Sequence, residues 1–76
     1  MTEHNATHQF SIDLGRHVVR LCQERGINRS TLVRRSGLSL EEVTRIEDGW
    51  GGASLLMLRK IAGVLGVSMS ELFDCW

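Results

Sequence analysis

NRSTLVRRSGLSLEEVTRIEDG, Asn28 to Gly49, reads as two short helices joined by a tight turn. Asn28 is a good N-cap, because its side-chain oxygen can accept a backbone N–H from the first turn of a helix that begins beside it. That helix starts at Arg29, with Leu32 and Val33 as its apolar face. Ser36-Gly37 ends it, glycine being free to take the left-handed conformation that a helix C-terminus often needs. Leu38 plugs the corner. Ser39 offers a second N-cap with Glu42 three residues on, the spacing of a capping box, so a second helix opens at Leu40. Val43 and Ile46 recur at i and i+3 as its buried side, and Asp48-Gly49 closes it.

Two helices of about two to three turns around a glycine-containing corner outline a helix-turn-helix, whose second helix can lie in a DNA major groove. The chain of 76 residues is one domain, since domains run ~50 to 250 residues. At this size roughly 60% of the unfolded surface can be buried, enough for a small helical core but not for a deep substrate pocket. No enzyme is expected: there is no phosphate-cradling glycine motif, no nucleophile with a base and no metal ligand set, and no cofactor is implied. No apolar run approaches the ~20 residues needed to cross a bilayer, and Met1 to Gln9 is polar, unlike a signal peptide. The expectation is a cytoplasmic protein with no membrane partner. Cys22 and Cys75 read as two thiols rather than a staple.

Nine Lys and Arg balance nine Asp and Glu, so no global attraction to polyanions exists. The layout is uneven. Between Leu14 and Arg35 stand Arg16, Arg20, Arg25, Arg29, Arg34 and Arg35 against Glu24 alone, whereas Glu41, Glu42, Glu47 and Asp48 face only Arg45 in the next acidic stretch.

Along the rest of the chain, residues 1–10 have no helical or strand period, and their polarity predicts a mobile arm, with residues 11–76 forming the folded domain. His4 and His8 are four apart, but no Cys or carboxylate joins them at ligand spacing, so a solvated tail is the reading. A first helix is expected from about Ile12 to Arg25, with Leu14, Val18, Leu21 and Cys22 as its stripe and His17 a structural histidine beside it. Trp50, in a loop with three glycines, is read as folding back over the core edge in preference to acting as a base-stacking wedge. Ser54 caps a fourth helix to about Leu65 whose core stripe is Leu55, Leu58, Ile61, Ala62 and Leu65, broadened by Met57 and Val64. A last turn or two from Ser68 or Ser70 carries Met69, Leu72 and Phe73. Met57, Val64, Met69 and Trp76 form a candidate dimer seam, with intrachain packing of all four as the alternative.

The order Leu14-Gly15, Leu21, Arg25-Gly26, Leu32, Gly37-Leu38-Ser39, Val43, Arg45-Ile46-Glu47, Gly49, Ser54-Leu55, Leu58, Lys60-Ile61-Ala62, Leu65-Gly66-Val67-Ser68 and Glu71-Leu72-Phe73 resembles the Cro and lambda-repressor type of helix-turn-helix domain. The resemblance covers about 60 of the 76 residues without a gap. It implies an all-α, five-helix lambda-repressor-like fold that dimerises and represses or activates transcription at pseudo-palindromic operators in double-stranded DNA, a repressor being the expectation here.

By position, the resemblance places Leu40, Glu41, Thr44 and Arg45 against base edges, and Arg29, Ser30, Arg34 and Ser39 against phosphates, with Arg35 as a further candidate. These chemistries suit the roles: Arg45 can chelate guanine O6 and N7, Glu41 can accept from cytosine N4, and Leu40 can touch a thymine methyl. The chain departs from the family pattern in three places. Arg29 stands where Gln is common. Cys22 replaces an Arg that pairs with the acid at Glu47, so Glu47 must find another donor, be protonated or remain wet. The loop Trp50 to Ala53 lacks cations, and Glu41 and Glu42 repel phosphate. The alternative is a protein-interaction module on the same scaffold, antitoxin-like or a transcription accessory factor, with a protein partner in place of DNA.

Overall fold

Four of the five helices open on a side chain that accepts an N–H from their own first turn. The computed structural model describes residues 2–74, with side chains from residue 9 onward. Its helices are α1 (Thr2–Glu24), α2 (Arg29–Ser36), α3 (Leu40–Glu47), α4 (Leu55–Leu65) and α5 (Met69–Leu72). Asn28, Ser39, Ser54 and Ser68 cap the last four, each in an extended conformation. Ser39–Glu42 and Ser68–Glu71 are full capping boxes, with both reciprocal bonds made. At α5 this holds the Glu71 carboxyl below the usual carboxylate range, mainly through the Ser68 backbone N–H and next through the Ser68 hydroxyl.

One core serves all five helices. Leu14, Val18, Leu21 and Cys22 of α1, Leu32 of α2, Leu38 of the corner, Val43 and Ile46 of α3, Leu58, Ile61, Ala62 and Leu65 of α4 and Leu72 of α5 are buried together. Full burial of a side chain of this kind is worth about 1.5–3 kcal/mol. α1 lies against α3 and α5, and α2 against α3 and α4, so α3 is held from two sides. His17 is buried and joins α1 to α5: its Nε2 donates to the Glu71 carbonyl at 2.9 Å, and its Nδ1 accepts from Arg20 Nη2 at 2.8 Å. A carbonyl can only accept and a guanidinium only donate, so this geometry selects the neutral Nε2–H ring.

Three expectations need correction. α1 begins at Thr2 rather than near Ile12, so residues 2–10, expected as a mobile arm without helical period, continue the helix. Phe10 gives the extension a tertiary anchor, its ring lying 6.0 Å from that of Phe73, and Gln9 Nε2 bonds Asp13 one turn on. Leu55 is not in the core stripe: it and Leu56 are exposed, because the buried face of α4 starts a turn later at Leu58. Trp50 does not fold over the core edge but is 75% exposed. The start of the expected helix lies along that edge, with Ile12 against Gly49 and Ser11 beside Gly51. The side chains of His4 and His8, together with Cys75 and Trp76, lie outside the described residues. Among the described residues no helix is long and apolar enough to cross a membrane.

Candidate nucleic-acid interface

The corner between α2 and α3 is closed by hydrogen bonds that the local sequence supplies. Asn28 Oδ1 accepts from the Thr31 N–H at 2.8 Å, starting α2. At the other end Gly37 turns left-handed, φ 76°, and its N–H reaches the Val33 carbonyl. Ser36 is buried, and its hydroxyl donates to the Val33 carbonyl while accepting from the Leu38 N–H. That serine therefore satisfies one group on each side of the bend, and Leu38 is drawn into the core beside it. Ser39 then starts α3.

The mount of α3 is backbone on backbone. A methyl group at Gly15 would collide with the Ile46 carbonyl and lie 2.7 Å from the Glu47 carbonyl, so α1 can cross α3 at this distance only without a side chain there. A second close approach comes at Gly49 (φ 78°), where an added Cβ would sit 2.9 Å from Ile12 Cα. The N–H groups of Gly49 and Trp50 return to the carbonyls of Ile46 and Arg45 at 3.2 and 3.0 Å, which ends α3 in a Schellman-type turn. The orientation of α3 thus depends on α1 as well as on the helix before it.

With Val43 and Ile46 inward, Leu40, Glu41, Thr44 and Arg45 line a shallow depression on the outer side of α3, together with Asp48 and Trp50. Leu40, Glu41 and Arg45 are exposed, and Thr44 is half-buried. Arg45 Nη2 lies 3.4 Å from Glu41 Oε2. Both groups are solvated, so this pair is worth about 0–1 kcal/mol and gives way readily to a better partner. The four residues expected at base edges are therefore brought together on one accessible surface. Trp50 and Asp48 join them unexpectedly; the sequence signal was the helix ending at Asp48-Gly49, which sends the next residue outward.

The expected phosphate residues are less uniform. Arg29, Ser30, Arg34 and Ser39 are all exposed. Arg29 is turned toward Glu47, its Nε donating to Oε1. Glu47 thus finds the other donor that the absence of an α1 arginine demanded, and it is buried to 6% side-chain exposure. Ser39 Oγ accepts from the Glu42 N–H at 3.0 Å, leaving its own O–H to donate. Arg34 and Arg35 occupy the last turn of α2, where cations also complement the helix dipole. Arg35 shares a groove with Ser36, Lys60, Gly63 and Val64 between α2 and α4. Of the expected dimer residues, Met57, Val64 and Met69 are half-buried against the shared core.

The Cro/C1-type HTH DNA-binding domain family matches residues 17–75, which include both helices of the pair, the corner and the core of α4. The chain belongs to the Cro/C1-type helix-turn-helix family. The all-helical, strandless fold of the described residues agrees with a Cro/C1-type domain. A similar solved structure is the restriction-modification controller protein C.AhdI from Aeromonas hydrophila, with TM-score 0.78 and 29% sequence identity, covering 82% of this chain and 94% of that one. Comparison with curated proteins gave no match. The family match begins at His17, so Ile12 and Gly15, which set the α1–α3 approach of this Cro/C1-type domain, precede it.

Proposed function

We propose that this protein is a sequence-specific regulator of transcription that lays α3 in the major groove of double-stranded DNA, acts as a homodimer on a pseudo-palindromic operator, and represses by occupying it. The observation that carries the reading is the outward cluster of Leu40, Glu41, Thr44 and Arg45 on a helix whose other side is locked to α1 and α2. Arg45 has the bidentate geometry for guanine O6 and N7, Glu41 accepts from cytosine N4, and Leu40 meets a thymine methyl. This reading gives Arg29, Ser30, Arg34 and Ser39 to phosphates, which fix register without reading sequence. Similarity to a restriction-modification controller protein supports a regulatory role. Met57, Val64 and Met69, half-buried on one chain, are the described part of a seam that a second copy covers, with Trp76 completing it. Such a dimer presents two α3 helices about 34 Å apart, one turn of DNA. Steric exclusion of polymerase then suffices for repression.

Selection of bound sequences from random duplexes tests the reading. The wild-type protein is expected to recover a pseudo-palindrome, and Arg45→Ala to lose about 1–3 kcal/mol of discrimination at one base position per half-site. An unchanged preference after Arg45→Ala would remove α3 from the role given to it. Sedimentation as a monomer at high concentration would remove the dimer.

A second reading is a protein-interaction module on the same scaffold. It draws on the exposed Leu40 and Trp50 flanking the self-paired Glu41 and Arg45, and on zero net charge. Salt separates the two readings, because counterion release makes DNA binding fall steeply with ionic strength, whereas an apolar protein contact is nearly insensitive to it.

A further inference from the structure

The ion pair between Arg29 and Glu47 joins the first residue of α2 to the last residue of α3. Its two ends differ. The Glu47 side chain is 6% exposed and the Arg29 side chain 47%. The bond uses Arg29 Nε, and among the described residues no other cation pairs with Glu47 and no hydrogen bond occupies the Arg29 Nη groups. On the α1 side the carboxylate's field falls on the buried Cys22 thiol, which is pushed up first by burial and then by the Glu47 charge. Among the described residues Glu47 therefore has Arg29 as its one counter-charge, and Arg29 is fixed at one edge while its side chain is 47% exposed. A guanidinium can serve two partners in this way, since its donors are set in a rigid fork.

We propose that Glu47 is a positioning residue for DNA binding: it holds Arg29 by Nε so that the free Nη edge meets a backbone phosphate in a fixed orientation. This rests on the DNA-binding reading above and reverses the sign that charge counting gives. A carboxylate near a polyanion should weaken binding, and removing it should tighten the complex. If instead the carboxylate orders the arginine before DNA arrives, the ordering cost is met in the free protein, and removing Glu47 weakens the complex.

The test uses the full chain and a fluorescent duplex carrying the sequence it selects from random DNA, with affinities measured at several salt concentrations for wild type, Glu47→Gln, Arg29→Ala, Arg29→Lys and the double variant Arg29→Ala/Glu47→Gln. Circular dichroism fixes a temperature at which each variant is folded. Glu47→Gln is expected to weaken binding roughly three- to thirtyfold, inside the range of coupling between residues in contact, yet to have no effect once Arg29 is Ala. Arg29→Lys keeps the charge on a single point donor, so it is expected to retain the wild-type salt slope and lose affinity, while Arg29→Ala lowers the slope by about one phosphate contact. A merely structural role would lower thermal stability without tying the affinity loss to Arg29. Tighter or unchanged binding by Glu47→Gln, or an equal effect in both Arg29 backgrounds, overturns the positioning role alone. A wild-type protein that selects and binds no duplex overturns this proposal together with the DNA-binding reading.

Discussion

The two sides of α3 share eight residues and almost no physics. The inner side, Val43 and Ile46 with the backbone at Glu47, is packed without slack: Val43 is fully buried, and the carbonyls of Ile46 and Glu47 lie against Gly15. On the outer side Leu40, Glu41 and Arg45 are exposed and Thr44 half-buried, and the one ion pair there, Arg45 with Glu41, is solvated and internal to that side. Stability resides on the inner side, and the proposed function puts recognition on the outer one, so substitutions should separate them.

The strongest attack on this division is Ile46→Ala. It should cost about 2–5 kcal/mol of unfolding free energy through lost transfer energy and the cavity left behind, read by urea denaturation, while the selected DNA sequence stays the same wherever the protein is folded. A changed sequence preference would show that the inner side also tunes recognition.

Next in size is a pair of identical substitutions with opposite expected signs. Gly15→Ala places a methyl group into two backbone carbonyls and should destabilise by about 1–3 kcal/mol, the usual range for overpacking. Gly63→Ala, in an exposed turn of α4 with nothing within 4 Å of the added carbon, should stabilise by roughly 0.5–1 kcal/mol from helix propensity alone. Equal melting shifts for the two would mean that α1 and α3 are not in backbone contact.

A smaller effect should appear with pH. The Cys22 thiol is raised by burial and by the Glu47 charge, so the folded chain keeps this proton to higher pH than the unfolded chain does. Stability is then fully present below the ordinary thiol value, about 8.5, and is lost as pH rises toward the folded value. Melting temperature should be level up to that point and fall beyond it, and Cys22→Ala should flatten the fall. The smallest shift of all belongs to the outer side: Arg45→Ala should leave unfolding free energy within about 0.5 kcal/mol of wild type, although the proposed function expects it to alter DNA choice.

The order of these effects also explains what could be read from sequence. Caps and corners are local, so Asn28, Ser39 with Glu42, Ser54 and the stop at Gly37 were legible, and with them α2, α3 and the start of α4. The family pattern carried the outward placement of Leu40, Glu41, Thr44 and Arg45. What escaped was set by contacts far apart in the chain. Nothing polar in residues 2–9 signals a helix, and the partner that anchors Phe10 is Phe73. The exposure of Trp50 was hidden for the same reason, since the glycines beside it lie against Ser11 and Ile12 of α1, far back in the chain. Arg29 and Glu47 are 18 positions apart on different helices, so neither residue's neighbours announce the pair.

Gly15 has one more consequence. Because α1 and α3 come closest through main chain at Gly15, no side chain sets their spacing at that crossing. Under the proposed function, Leu40, Glu41, Thr44 and Arg45 could be exchanged without touching that crossing, which would make this domain a holder for interchangeable lettering.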